Sequence, residues 1–262
     1  MYTLGIDIGS TTSKCVLLEG GKNIIGITLV KAGTGTRGPE QAVQELLDKT
    51  GIKKEMICFI TSTGYGRNHF TDANAQASEL TCHAIGTHYL FPDARTVIDI
   101  GGQDAKILTI NEHGKLVSFQ MNDNCAAGTG RFLDVMAQVL QIDVSKLEVE
   151  YRKADKPAMI SSTCTVFAES EVISQLSNGE SIPNITAGIC NSVASRVAAL
   201  AKREGIHDAV CMSGGVAQNG GVREALEKTI GKTLLYSKYA QITGALGAAI
   251  YGWEKKVSQC ER

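Results

Sequence analysis

Residues 5–14 read Gly-Ile-Asp-Ile-Gly-Ser-Thr-Thr-Ser-Lys, and they are the strongest indication of the fold in this sequence. An apolar run ends in an aspartate and a glycine, which are followed by four hydroxyl residues and a second apolar run. The pattern predicts two antiparallel strands, residues 2–8 and 13–19, joined by a tight turn at 9–12. Because a turn without side-chain bulk lets backbone N–H groups approach a phosphate closely, the stretch predicts a phosphate-binding hairpin.

The same pattern returns in the middle of the chain. A predicted strand at 96–100 again ends in Asp-Ile-Gly and leads through a polar turn into a strand at 105–110. The match predicts an internal repeat, and hence two lobes of one topology. We expect a first lobe over 1–94, completed by a C-terminal helix at 243–262, and a second lobe over 95–242.

A third turn, at 213–219, follows a predicted strand and precedes a helix, where glycines would let an adenosine lie against the backbone. Neither a Walker A motif nor a Rossmann glycine pattern is present. Two aspartates at strand ends, Asp7 and Asp99, are predicted to hold a hydrated magnesium ion, which prefers one or two carboxylates plus phosphate oxygens. Gln103 and Asp104 are predicted to orient water for attack on the terminal phosphate. The residues predicted to bind ATP or ADP are Gly9, Ser10, Thr11, Thr12, Ser13, Lys14, Gly101, Gly102, Gly214, Gly215, Gln218, Asn219 and Gln241.

The composition narrows the classes of function. The 262 residues include 26 basic and 27 acidic side chains, which removes the main argument for nucleic-acid binding. No apolar run approaches the ~20 residues of a membrane span, and no signal-peptide pattern is present, so we expect no membrane association and a cytoplasmic location. In that compartment the eight cysteines are expected to be thiols or metal ligands, and the lack of a CxxC pair argues against a zinc ribbon.

Two of these cysteines occupy similar positions. Cys125 and Cys164 each lie just ahead of a predicted helix, at 131–140 and 166–176, among small and polar residues. A helix N-terminus stabilises a thiolate, and it also suits an anionic iron–sulfur cluster. Two cysteines cannot complete a four-cysteine cluster, but a twofold dimer would supply four. From spacing alone, two buried or incidental thiols are the favoured interpretation.

The other six cysteines are assigned to structural positions. Those within strand patterns or the long helix near 181–200 are expected in the core. Cys82 beside His83 is not expected to bind metal, because adjacent helical residues point in different directions. The core set is Cys15, Cys58, Cys190 and Cys211, and Cys260 is expected in a frayed tail.

The three turns resemble the phosphate-1, phosphate-2 and adenosine motifs of the actin, Hsp70 and sugar-kinase ATPase superfamily. The matching segments are 5–14, 99–104 and 213–219, and the small-residue segment 244–249 resembles the second connecting helix of that superfamily. The resemblance implies an α/β fold of two ribonuclease H-like lobes with the nucleotide in the cleft between them.

Around the two cysteines, segments 121–134 and 161–172 resemble the activator components of 2-hydroxyacyl-CoA dehydratases, within the benzoyl-CoA reductase ATPase-subunit family. Segment 63–67 matches as well, and the resemblance covers essentially the whole chain. It implies an ATP-driven one-electron donor in which Cys125 and Cys164 ligate one 4Fe-4S cluster between the subunits of a homodimer. The implied partners are reduced ferredoxin or flavodoxin as electron donor, and a separate dehydratase (component D) as acceptor.

Two other classes of protein remain open from the residues. A small-molecule kinase on the same fold would use residues 120–180 as a substrate pocket, but it leaves the two helix-start cysteines unexplained. A filament-forming or chaperone-like ATPase would polymerise or bind peptides and would contain no iron.

Overall fold

The computed structural model describes residues 1–122, 125–161 and 164–260. The chain divides into two compact units. The first unit comprises residues 1–94, 110–117 and 241–262, and the second comprises 95–109 and 118–240. The predicted lobes differ from these units at residues 110–117 and 241–242. The last two residues of the predicted C-terminal helix, 261–262, lie outside the described residues, as do 123–124 and 162–163 of the two cysteine segments.

Each of the two sheets described has five strands. The first contains β1 (Tyr2–Ile8), β2 (Ser13–Glu19), β3 (Asn23–Val30), β4 (Ile57–Thr63) and β5 (Ala75–Gln76), in the order β3-β2-β1-β4-β5. The second contains β6 (Thr96–Ile100), β7 (Ala105–Ile110), β8 (Leu116–Asn122), β9 (Val210–Ser213) and β10 (Leu234–Leu235), in the order β10-β9-β6-β7-β8. In both, the central strand pairs antiparallel with the next strand and parallel with the one on its other side. The predicted repeat is confirmed.

The helices described are α1 (Gly38–Thr50), α2 (Glu79–Leu90), α3 (Gly130–Val139), α4 (Leu147–Lys153), α5 (Thr165–Ser177), α6 (Ile182–Glu204), α7 (Gly220–Ile230) and α8 (Thr243–Cys260). At the start of α6 the Ser181 side chain accepts a hydrogen bond from the Asn184 N–H, which satisfies an amide that has no partner within the helix. Helix α4 was not predicted, and α2 was expected only as the helix that carries Cys82 and His83. Much of α2 is buried and its small residues follow no amphipathic stripe, so its sequence lacks the period that identifies a surface helix.

Helices α2 and α8 lie unusually close together within the first unit. A Cβ built on Gly247 of α8 would lie 1.8 Å from the carbonyl oxygen of Cys82 in α2. Only a residue without a side chain fits this approach, so Gly247 lets these two helices pack closely.

The apolar cores lie between each sheet and its helices. In the second unit, residues of β6, β7 and β9 pack with α3, α6 and α7, and Phe132 is the largest fully buried side chain there. In the first unit, β1 and β2 pack against α1. Across the described ranges, none of the helices combines the length and apolar content that a bilayer crossing requires.

Candidate functional site

A buried charge pair lies at the turn of the first hairpin. Asp7 of β1 is directly opposite Lys14 of β2 in the antiparallel ladder. Lys14 Nζ donates to Asp7 Oδ2 at 3.0 Å, and both side chains are largely buried. The Gly9 N–H donates to the Thr12 carbonyl at 3.0 Å and closes the turn. A fixed carboxylate beside turn amides can bind a hydrated cation together with a phosphate.

The four hydroxyl residues of this turn differ in their surroundings. Ser10 and Thr11 are exposed and Thr12 is half-buried. Ser13 is fully buried, and its hydroxyl donates to the Ala32 carbonyl at 2.7 Å. Because that proton is used within the first unit, the Ser13 hydroxyl supports the hairpin, and a contact of Ser13 with nucleotide stays a prediction.

Segment 63–67 packs against the same aspartate. Gly64 has a backbone φ of +84°, and a Cβ built on it would lie 2.4 Å from Asp7 Oδ1. The Gly66 N–H donates to the Ile8 carbonyl at 2.8 Å, and Arg67 Nη1 donates to the Gly64 carbonyl at 3.0 Å. The end of β4 therefore fixes one side of the Asp7 carboxylate, while Lys14 fixes the other.

The second hairpin repeats the charge pair with a larger network. Asp99 of β6 is opposite Lys106 of β7. Lys106 Nζ lies 2.7 Å from Asp104 Oδ2 and 3.8 Å from Asp99 Oδ2, and only 3% of the lysine side chain is exposed. Ser213 Oγ donates to Asp99 Oδ1 at 2.7 Å. This network joins the end of β9 to the second hairpin, and so brings together two of the predicted motifs.

Lys106 was missed by the sequence analysis. The signal that identifies it is the spacing: Asp7 and Lys14 are seven residues apart, as are Asp99 and Lys106, and the repeat places both lysines opposite their aspartates. The two residues predicted to orient water have different surroundings. The Asp104 carboxylate accepts a hydrogen bond from Lys106, whereas the side chain of Gln103 is exposed.

The third turn begins where β9 ends. The Gly214 N–H donates to the Ala240 carbonyl at 2.9 Å, and residues 215–218 form a short 3-10 turn. The Asn219 side chain accepts from the Val222 N–H at 3.2 Å, so it caps α7. Gly214 is half-buried and Gly215 is exposed, which leaves backbone accessible at this turn.

Two further side chains, not predicted, lie beside this turn. The Tyr236 hydroxyl donates to Gln218 Oε1 at 2.8 Å. The guanidinium of Arg223 lies 3.9 Å from the centroid of the Tyr236 ring and donates to the Ala217 carbonyl. The contacts fix a planar cation on an aromatic face. Gln241, also predicted to bind nucleotide, belongs to the first unit and is half-buried just before α8.

Cys125 and Cys164 occupy related positions in the second unit. Cys164 is the N-cap residue of α5, and Cys125 lies five residues before α3. Both thiols are free and half-buried, and α3 packs against α5. Beyond Thr165, the next two side chains are apolar and exposed: Val166 to 67% and Phe167 to 64%.

Most of the other cysteines lie in the cores, as predicted. Burial raises the pKa of Cys15, and it raises the pKa values of Cys82, Cys190 and Cys211 to about 12, so these remain neutral thiols. Cys58 lies in β4, half-buried, and its thiol donates to the Tyr2 carbonyl at 2.8 Å. Cys260 is exposed at the end of α8.

The chain also matches known proteins. The family model of the BadF/BadG/BcrA/BcrD ATPase family matches residues 4–252. The (R)-2-hydroxyglutaryl-CoA dehydratase activating ATPase of Acidaminococcus fermentans is 56% identical over 97% of this chain and 98% of its own length. The 2-hydroxyisocaproyl-CoA dehydratase activator of Clostridioides difficile is 51% identical over all of this chain and 98% of its own.

Solved structures agree in fold. The activator of the 2-hydroxyisocaproyl-CoA dehydratase from Clostridium difficile with bound ADPNP superposes with a TM-score of 0.97, at 50% identity over 100% of this chain and 98% of that one. A ROK family glucokinase from Streptomyces griseus, at 13% identity and a TM-score of 0.60 over 97% of this chain and all of its own, shares the fold alone. These matches confirm the sugar-kinase type of α/β fold that the three turns predicted. The chain therefore belongs to the BadF/BadG/BcrA/BcrD ATPase family.

Proposed function

We propose that this chain is the ATP-hydrolysing activator of a 2-hydroxyacyl-CoA dehydratase and that it donates single electrons to that enzyme. The observation that carries the proposal is the full-length match, at 56% and 51% identity, to two ATPases named as activators of such dehydratases. Two free, half-buried cysteines at the starts of packed helices support the electron-transfer part.

The nucleotide part of the proposal uses the turns of each unit. In the first unit, the 9–12 turn and Lys14 would bind phosphate oxygens. In the second unit, the 101–104 turn would bind phosphate, and the 214–219 turn would bind the adenosine. That Asp7 and Asp99 hold one hydrated magnesium ion stays a prediction, which the carboxylate chemistry supports.

The residues of the second unit fit an iron–sulfur cluster. The side chain of Cys164, the N-cap residue of α5, accepts no hydrogen bond from the first amides of the helix, so these amides can point at an anionic group. The Cys125 segment is held by Asn122, whose Nδ2 donates to the Cys125 carbonyl at 3.1 Å. When bound by four thiolates, a 4Fe-4S cluster supplies a one-electron carrier.

A homodimer would complete the ligand set, because one chain offers only Cys125 and Cys164 at helix starts. The exposed Val166 and Phe167 beside Cys164 supply apolar surface that a second copy would bury. We propose reduced ferredoxin or flavodoxin as the electron donor, and the dehydratase component as the acceptor.

The iron content tests the proposal. Protein purified without oxygen should be brown and contain about four irons per two chains, as four-cysteine ligation requires. Cys125→Ser and Cys164→Ser should each lose the iron and retain ATP hydrolysis. Cys260→Ser is the matched control and should keep both, since Cys260 is exposed at the end of α8.

A second assay tests the acceptor. The wild-type chain, ATP and a chemical reductant are added to the dehydratase that the Acidaminococcus relative activates, and loss of water from (R)-2-hydroxyglutaryl-CoA is followed. Dehydration that stops with either cysteine variant supports the proposal. Colourless wild-type protein that phosphorylates a small molecule would instead favour the kinase alternative.

A further inference from the structure

The start of α3 is capped by the predicted phosphate turn of the second hairpin. The Gly130 N–H donates to the Gly101 carbonyl at 2.9 Å, and the Arg131 N–H donates to the Gly102 carbonyl at 2.8 Å. The first amides of a helix have no partner within the helix and are usually satisfied by a side chain or by water. Here the N-cap side chain, Thr129, gives them no bond. The turn itself satisfies the first two.

The contact between helix and turn is close. A Cβ built on Gly130 would lie 3.2 Å from the Gly101 carbonyl oxygen and 3.3 Å from Gly102 Cα. It would also lie 3.5 Å from Val216 Cγ2, in the third turn. The start of α3 therefore touches both turns of the second unit that are proposed to bind nucleotide, and a glycine allows the approach.

Cys125 lies at the other end of the same short segment. The Thr129 hydroxyl and N–H both donate to the Ala126 carbonyl, at 2.7 and 3.0 Å. Ala127 and Thr129 are fully buried. A packed segment transmits a displacement rather than absorbing it, so a shift at the start of α3 should move Cys125.

The planarity of the peptide bond supplies the first step. The Gly101 carbonyl lies in one rigid plane with the N–H of Gly102, and the Gly102 carbonyl lies in one plane with the N–H of Gln103. When a phosphate oxygen draws on either of these N–H groups, the plane turns and the carbonyl that holds α3 turns with it.

We propose that Gly130 is a positioning residue through which nucleotide at the 101–102 turn sets the position of the Cys125 sulfur. The inference rests on the proposed nucleotide site and goes beyond it, because it names the bonds that join ATP binding to the cysteine. All the residues that this inference involves belong to the second unit.

Thiol labelling tests this inference. The full chain, with iron removed, is treated with iodoacetamide with and without Mg-ADPNP, and modification of each cysteine is followed by peptide mass spectrometry. In the wild type, Mg-ADPNP should change the labelling rate of Cys125 several-fold and leave Cys260 unchanged. In Gly130→Ala, whose methyl pushes the helix from the turn, ADPNP should still bind and the change at Cys125 should disappear. Arg131→Ala, which keeps the backbone N–H, should behave as the wild type.

Hydrogen exchange of the wild type gives a reading that needs no variant. Mg-ADPNP should slow exchange both at 101–104 and at 126–131. Protection at 101–104, with neither protection at 126–131 nor a change in Cys125 labelling, would overturn the inference and leave the nucleotide site standing. Lack of protection at both segments would overturn the proposed nucleotide site, and the inference with it.

Discussion

Replacing Gly64 by alanine should damage both stability and ATP hydrolysis, in amounts that the geometry sets. An L-residue in the left-handed region costs ~1–2 kcal/mol, and Gly64 has a φ of +84°. The new methyl would lie 2.4 Å from Asp7 Oδ1. That is about 1 Å short of ordinary contact, and overpacking of this kind costs a further ~1–3 kcal/mol. The free energy of unfolding should fall by ~2–5 kcal/mol in total.

The functional effect follows from the same contact. Relief of the overlap moves the Asp7 carboxylate by a sizeable part of 1 Å, and a misplacement of ~1 Å at a reacting centre can cost ~10²-fold in rate. We therefore expect the turnover number for ATP hydrolysis to fall by roughly 10- to 100-fold. Urea unfolding and a steady-state phosphate-release assay measure the two effects.

Gly179→Ala is the matched control. Gly179 has a φ of +79°, but a Cβ there would meet no atom within 4 Å, so it carries the backbone cost without the overlap. The control should lose ~1–2 kcal/mol and keep its turnover. Equal losses of stability in the two variants, with turnover retained in both, would refute the idea that Gly64 fixes Asp7.

Three further predictions concern stability. Lys106→Met leaves the buried Asp99 carboxylate and the half-buried Asp104 carboxylate without their cation and should cost ~3–5 kcal/mol in urea unfolding, whereas Lys115→Met, at an exposed position, should change little. Gly247→Ala forces a methyl against the Cys82 carbonyl and should cost at least ~3 kcal/mol by the same assay; an unchanged midpoint relative to Ser258→Ala, exposed on the same helix, would contradict the close packing. The buried thiols have pKa values raised on folding, so their contribution is complete below the ordinary thiol pKa of 9.0 and is lost as pH rises from there toward about 12. The free energy of unfolding, measured from about pH 8 upward, should therefore decline with pH. A flat profile would contradict burial of Cys82, Cys190 and Cys211.

The hairpins could be predicted because local sequence specifies them. Alternating apolar residues and an Asp-Ile-Gly end mark both β1 and β6, and the repeat follows from the match. Lys106 lies seven residues after Asp99, as Lys14 lies seven residues after Asp7, so a comparison of the two hairpins would have identified it.

Other features depend on contacts between distant parts of the chain. Ser13 donates to Ala32, across the sheet, and nothing near Ser13 in the sequence distinguishes it from Ser10. The contact of Arg223 with Tyr236 joins α7 to the residue that follows β10, and no regular spacing in the sequence predicts it. Burial of α2 under α8 likewise removes the polar face by which a helix is recognised.

The return of α8 to the first unit has a consequence for synthesis on the ribosome. Helix α8 packs against β1, β4 and α2, and Thr3 Oγ1 donates to the Ala249 carbonyl at 3.0 Å in the interior. The first 94 residues therefore emerge without the helix that covers their sheet. At ~5–20 residues per second, that face waits roughly 7–30 s for residues beyond 243 to be made.

The second unit, in contrast, is encoded almost without interruption between residues 95 and 240. It can close its core while the first unit is still incomplete, so the order of folding inverts the order of translation. An N-terminal fragment ending at residue 94 should accordingly associate through its uncovered sheet and recover solubility when a peptide of residues 241–260 is supplied in trans.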